Sequence, residues 1–138
     1  MRKCIIIPAR ISSTRLPKKL MLKISGKSII QHVYEQCSKV KGSSVYVATD
    51  SIEIKQLCNT FTGNVIMTKD SHKSGTDRVA EAVDKLTDYD LIVNVQGDEP
   101  FINPNLIDEL FKELTEKDVL MVSAMKKITR FTDLKNPN

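Results

Sequence analysis

Apolar residues fall along this chain in two alternating rhythms. Short runs rich in β-branched residues come at Lys3–Ile7, Ser44–Ala48, Asn64–Thr68, Leu91–Val95 and Val119–Ala124, and each reads as a strand. Between them, apolar positions recur every three or four residues, the period of a helix with one buried face. The first such stretch is Ser28–Val40, with Ile29, Val33 and Cys37 in one stripe and Ser28 as its N-cap. Asp50 followed by Glu53 has the capping-box spacing and opens a second helix, expected to reach about Phe61. The third covers Thr76–Leu86, with Val79, Ala80, Val83 and Leu86 on one side and Ser74 or Thr76 as its cap. The fourth starts at Asn103-Pro104 and runs to about Glu116, turning Leu106, Ile107, Leu110, Phe111 and Leu114 inward.

Strand and helix in strict alternation predict a Rossmann-like α/β fold, a mostly parallel sheet with helices on both faces. The nearly unbroken apolar run Leu91–Val95 suits a strand covered on both sides. Ligands of such folds bind beyond the carboxyl ends of the strands. The conspicuous polar and glycine-bearing segments are all expected at that edge: Pro8–Lys19, Thr49-Asp50, Lys69–Arg78 and Gln96–Pro100. The return loops, such as Thr115–Asp118, are plainer.

Composition narrows the classes. A chain of 138 residues fits one domain. Its 41% hydrophobic content is too high for a solvated disordered chain. No apolar run reaches the ~18 residues of a membrane span. The apolar start at Cys4–Ile7 is too short, and too soon broken by Pro8, for a signal peptide. A soluble, cytoplasmic protein is therefore expected. The three cysteines (Cys4, Cys37, Cys58) are odd in number and form no C-x-x-C pair, which argues against a zinc site or a disulfide framework. Cys37 and Cys58 read as small buried hydrophobes.

Charge changes the picture more. Residues 1–41 hold ten Lys or Arg against Glu35 alone, a net +9, while residues 42–138 hold eleven basic against sixteen acidic side chains. A basic first third suggests an anionic partner for that segment. Nucleic acid, a membrane surface and a nucleotide phosphate all fit at this point, as does a plain solvated face.

The motifs discriminate. Ser25-Gly26-Lys27-Ser28 resembles the end of a phosphate loop, but Met21 stands where the motif needs glycine, and the segment does not follow the first strand directly. No G-x-G-x-x-G occurs. The twelve residues Pro8–Lys19 carry four cations and no glycine. Such a loop holds phosphate through guanidinium forks, ammonium charge and hydroxyls rather than bare backbone. Asp98, beside Gly97 at a strand's carboxyl end, is either a magnesium ligand or the cap of a turn. Ser74–Arg78 read alone is an ordinary helix start. His32 is expected on the polar face of its helix and His72 as a solvated loop residue.

Together these strings resemble the 3-deoxy-manno-octulosonate cytidylyltransferases, the CMP-Kdo synthetases. The resemblance covers the whole chain. It rests on IIPAR and STRLPKK at 6–19, VATD at 47–50, SGTDR at 74–78, NVQGDEP at 94–100 and NPN at 136–138. The R-x-x-S-x-R-L-P-x-K pattern is shared with related cytidylyltransferases, and the second half of the match favours the Kdo enzymes. The resemblance implies a fold of the nucleotide-diphospho-sugar transferase type. It also implies transfer of CMP from CTP to the anomeric hydroxyl of Kdo, with release of pyrophosphate, for lipopolysaccharide. Arg10, Arg15 and Lys19 would hold the triphosphate, Asp98 would bind Mg2+, and Gln96 would contact the sugar acid. Ala9, Ser74, Gly75 and Arg78 would lie around the cytidine. Lys19, Asp98 and Arg15 would carry the catalysis.

Two positions depart from the family pattern. Asp77 stands where glutamate is common, and Lys18 where glycine is usual, a change expected to stiffen the loop tip. Family members are roughly twice as long. Residues 1–138 are thus expected to be the nucleotide-binding part of an apparently truncated cytidylyltransferase domain. The remainder would carry a second metal-binding aspartate, more of the sugar pocket and the surface of a homodimer. The alternatives are a related sugar acid, such as a sialic acid or 8-amino-Kdo, or a non-catalytic nucleotide- or RNA-binding domain. Nucleic acid is disfavoured because aromatics total only 5% and the basic residues form one loop.

The chemistry fits these residue types. In-line attack on the α-phosphorus needs positioning and charge neutralisation more than covalent work. A metal also lowers the pKa of a hydroxyl it binds, so no dedicated histidine base is required.

Overall fold

The computed structural model describes residues 1–11 and 18–117. Six strands and four helices follow one another in it: β1 (Lys3–Ala9), β2 (Lys23–Ile24), β3 (Lys27–Ser28), α1 (Ile29–Ser38), β4 (Ser43–Thr49), α2 (Ile52–Cys58), β5 (Val65–Met67), α3 (Gly75–Asp84), β6 (Leu91–Asn94) and α4 (Pro104–Glu116). A single 3-10 turn, Lys19–Met21, precedes β2. The main sheet has the order β5-β4-β1-β6, and every pairing in it is parallel. The strand proposed at Val119–Ala124 lies outside the described residues.

Helices cover both faces, as alternation required. Ile5, Ile7, Val45 and Val47 point to one face and pack with Ile30, Val33 and Cys37 of α1, Ile54 and Cys58 of α2, and Ile107 and Phe111 of α4. Cys4, Ile6 and Ala48 point to the other face, against Val79 and Ala82 of α3. Successive β1 residues thus alternate between two cores, and Cys4 through Ile7 are completely buried. All three cysteines are free and buried, and burial pushes each thiol up to about 12.

Local chemistry explains most boundaries. Ser28 Oγ accepts from Gln31 N–H at 3.2 Å and caps α1. Asn103 caps α4, with Pro104 in its first turn. The capping box at Asp50 and Glu53 does not form. Ser51 caps α2 instead, its Oγ accepting from Ile54 N–H at 3.1 Å, and the helix ends at Cys58 rather than Phe61. A hydroxyl suffices for the cap, which leaves the Asp50 carboxylate to the buried Arg78, 3.7 Å away. On α3, Ala80 is exposed and Ala82 takes its expected place inside, because Ala82 completes the stripe with Val79 and Leu86.

The false phosphate loop is a hairpin. Ser25 (φ 52°) and Gly26 (φ 82°) join β2 to β3, both in the left-handed region that such tight turns demand. His32 Nε2 meets the Ile24 carbonyl at 2.6 Å and ties α1 to this hairpin.

One boundary bears on function. β1 runs two residues past the expected Ile7, through Pro8 to Ala9, beside β4. On its other side β6 pairs only as far as Ile6, whose carbonyl accepts from Val95 N–H at 3.0 Å. Pro8, two residues on, has the same orientation, so its missing N–H falls where β6 has already left the sheet. A proline is tolerated in a central strand for that reason, and a gap opens between the ends of β1 and β6.

Candidate functional site

That gap lies where the strand order reverses. The chain builds outward from β1 through β4 to β5, then crosses back to β6 on the opposite side of β1. Crevices at such switch points are the usual ligand sites of open α/β sheets. Two adjoining lobes fill this one, about 160 and 180 Å³ in volume, with Pro8, Arg10 and Gln96 shared between them.

The first lobe is lined by the end of β1 and the approach to α3. Ala9 (buried), His72, Lys73, Ser74, Gly75 and Arg78 face it. Ser74 Oγ accepts from Asp77 N–H at 3.1 Å, so this serine caps α3 while its hydroxyl hydrogen stays available. Asp77 sits in the first turn of α3, where a carboxylate suits the helix dipole as well as a glutamate would. Gly75 leaves room at this point by its lack of a side chain. A Cβ there would stand 3.3 Å from Pro8 Cγ and 3.7 Å from Gln96 Oε1, inside the lobe.

The second lobe is lined by Lys19, Leu20, Gly97 and Asp98 as well as the shared residues. Lys19 Nζ lies 3.4 Å from Asp98 Oδ2, although the two are 79 residues apart in sequence. Both side chains are partly exposed, at 36% and 49%. Gly97 allows its loop to approach the end of β1 closely, since a Cβ there would lie 3.0 Å from the Pro8 carbonyl oxygen. The neighbouring Glu99 carboxyl is raised from its ordinary value by partial desolvation and then by the charge of Asp98.

Eight of the nine sequence-derived site residues meet in this cleft: Ala9, Arg10, Lys19, Ser74, Gly75, Arg78, Gln96 and Asp98. Arg15 lies outside the described residues. Arg78 differs in kind from the others. Only 4% exposed, it is a strut. Its Nη1 donates to Thr68 Oγ1 at 2.6 Å and to the Lys69 carbonyl at 3.2 Å, and pairs with Asp50 Oδ1. Asp50 Oδ1 is itself buried and accepts no hydrogen bond. This contact joins the strings VATD and SGTDR through a buried ion pair.

Sequence reasoning missed Lys73 and misjudged His72. His72 is half-buried and held rather than freely solvated. Its Nε2 meets Glu81 Oε2, and its side chain is 18% exposed. The signal was the spacing of Arg78 and Glu81 on α3 and Lys85 at its C-cap, which reads in sequence as an ordinary charged helix face. Lys18 has φ 57°, the left-handed backbone that a glycine adopts without cost. Its N–H donates to the Ile11 carbonyl at 3.1 Å, and its Nζ lies 3.1 Å from Glu53 Oε1.

Among the described residues no three His, Cys, Asp or Glu side chains gather into a metal site, and no helix is long and apolar enough to cross a membrane. Asp98 stands as a single carboxylate on a cationic cleft. Magnesium typically takes one or two carboxylates and completes its shell with phosphate oxygens and water. The donor set therefore fits a magnesium that arrives with a polyphosphate. It does not fit a structural zinc site.

The chain is 50% identical over 137 residues to a 3-deoxy-manno-octulosonate cytidylyltransferase of Francisella philomiragia, covering 97% of this chain and 55% of that one. It is 46% identical to 3-deoxy-manno-octulosonate cytidylyltransferase 2 of Actinobacillus pleuropneumoniae, covering 100% of this chain and 56% of the relative. A solved structure of CMP:2-keto-3-deoxy-manno-octonic acid synthetase complexed with CTP superposes with a TM-score of 0.83 at 43% identity, over 87% of this chain and 50% of that one. The chain thus spans about half the length of the curated relatives it matches. The family profile described as cytidylyltransferase matches residues 4–138, and on that match the chain belongs to the cytidylyltransferase family.

Proposed function

We propose that residues 1–138 form the nucleotide-binding part of an enzyme that moves CMP from CTP to the anomeric hydroxyl of Kdo and releases pyrophosphate. One observation carries the reading: Lys19 and Asp98 converge to 3.4 Å on a cleft at the switch point of the sheet. An ammonium and a carboxylate side by side suit a metal-bound polyphosphate, which needs both a cation for its oxygens and an anion for its metal. The relatives named above act on Kdo by their names, and the superposed structure holds CTP, which supports the same substrates here.

The roles follow from the lobes. The triphosphate belongs in the lobe of Arg10, Lys19 and Asp98, with Arg15 as a further cation contributed by the same loop. The cytidine belongs in the lobe of Ala9, Ser74 and Gly75, which Arg78 braces from beneath. Gln96, which lines both lobes, would contact the sugar acid. Mg2+ would be held by Asp98 and would neutralise charge on the phosphates. The residues present before catalysis already form most of this electrostatic frame, which is how preorganised sites lower a barrier. The soluble setting expected from composition is the cytoplasm, where CTP is available.

Calorimetric titration of the chain with CTP, ATP and an RNA oligomer, with and without magnesium, tests the reading. CTP is expected to bind, more tightly with magnesium, with ATP weaker and RNA inert. Tight RNA binding without any response to CTP overturns it.

A further inference from the structure

The segment from Met67 to Ser74 crosses from β5 to the cap of α3 and forms one wall of the cytidine lobe. One face of α3 and its C-cap tie it down, since Arg78 and Glu81 share that face and Lys85 follows at the cap. Arg78 holds Thr68 and the Lys69 carbonyl. Glu81 Oε2 accepts from Lys69 N–H at 3.0 Å and from the His72 ring. Lys85 Nζ donates to the Met67 carbonyl at 2.6 Å and pairs with Glu81 Oε1 at 3.0 Å.

This clamp is more than a loop needs merely to turn. It sets a histidine in a defined orientation against the lobe, with 18% of its side chain exposed. The Lys69 N–H, then His72, then Lys85 hold the Glu81 carboxyl down to about 2, so it is ionised at any working pH. An ionised carboxylate only accepts, which puts a hydrogen on His72 Nε2. In the neutral ring Nδ1 is then left as a lone-pair acceptor. Lys19 and Asp98 claim the other lobe for phosphate, so the base falls to the lobe of His72. Cytosine presents an exocyclic amine as a donor, where uracil presents a carbonyl oxygen.

We infer that His72 is a specificity-determining residue, its Nδ1 accepting from the exocyclic amine of cytosine, and that Glu81 is the positioning residue that holds it there. The inference rests on the nucleotide-binding reading above and deepens it.

Calorimetry on the wild-type chain, His72→Phe, His72→Asn and Glu81→Gln tests it, with CTP, UTP and inorganic tripolyphosphate as ligands in magnesium. The wild type is expected to prefer CTP over UTP. His72→Phe should weaken CTP about tenfold, the worth of one hydrogen bond to the base, and leave UTP and tripolyphosphate unchanged. His72→Asn keeps a short acceptor and should fall between the two, and it serves as the reading if His72→Phe loses its cooperative melt. Glu81→Gln should lower the CTP-to-UTP ratio about threefold by loosening the ring. An unchanged ratio in His72→Phe, or equal weakening of all three ligands, overturns the inference and leaves His72 a structural wall. A wild type that binds CTP and UTP equally overturns it alone. A wild type that binds neither nucleotide overturns the functional reading with it.

Discussion

Arg78→Met tests the reading of Arg78 as a strut. The arginine is 4% exposed and serves three partners: Thr68 Oγ1, the Lys69 carbonyl and the Asp50 carboxylate. Removing it strands a carboxylate whose Oδ1 already lacks a hydrogen bond. Breaking a buried ion pair by deleting one partner costs about 3–5 kcal/mol. The Asp50 side chain keeps 20% exposure, so some water reaches it and the lower end applies, about 3 kcal/mol. Domains of ordinary stability have ~5–15 kcal/mol in total, so the loss is a large fraction. With a urea m-value of ~1–3 kcal/mol/M, the unfolding midpoint should fall by ~1–3 M. Asp50→Asn leaves Arg78 its two neutral acceptors and should cost only about 1 kcal/mol. The double variant should be less damaged than the sum of the singles by ~1 kcal/mol or more, the signature of coupled neighbours. Urea unfolding followed by circular dichroism gives all four corners of the cycle. A loss below ~1 kcal/mol for Arg78→Met, or strict additivity, refutes the strut and returns Arg78 to direct ligand binding.

Four further outcomes are expected. Because the Glu81 carboxyl is depressed to about 2, it stabilises the fold above its ordinary range near 4.5, and that contribution fades as pH falls toward 2. Thermal melts at pH 5 and pH 3 should differ less in Glu81→Gln than in the wild type, and an identical difference would sink this linkage. Asp98→Asn should keep the melting temperature, since it removes an exposed pair worth ~0–1 kcal/mol, yet lose the magnesium-dependent part of CTP affinity in calorimetry. Gly97→Ala should cost ~1–3 kcal/mol in urea unfolding, because its Cβ meets the Pro8 carbonyl oxygen and Leu20 in a packed turn. The three cysteines should resist a thiol reagent at neutral pH and all react in denaturant, and fast native labelling at any of them would contradict their burial.

The repeating pattern of the chain determined the architecture. Strand periods at Lys3, Ser44, Asn64 and Leu91 and helix stripes between them were legible because burial on a sheet or a helix face needs only a local rhythm. The caps at Ser28 and Asn103 were legible for the same reason, and that of α3 to within Ser74 or Thr76, since each acts within three residues of itself. The loops that build the cleft were legible too, because a parallel sheet sends every strand's carboxyl end to one edge, while the choice of individual residues came from the family resemblance. Tertiary structure decided what those residues do there. Asp50 looked like a helix cap and became the counter-ion of Arg78, because a buried guanidinium competes for a carboxylate more strongly than an N-terminal turn does. Arg78 was expected around the cytidine; it lines that lobe and is also a buried brace held by Thr68 and the Lys69 carbonyl. His72 looked solvated and is held by Glu81, a charged residue on a helix face that sequence reads as plain solvent surface. Lys19 and Asp98 sit 79 residues apart, and no local rule brings them together. Only the crossing from β5 back past β1 to β6 does so, because electrostatic contacts of this kind depend on distances in space that the order of residues does not specify.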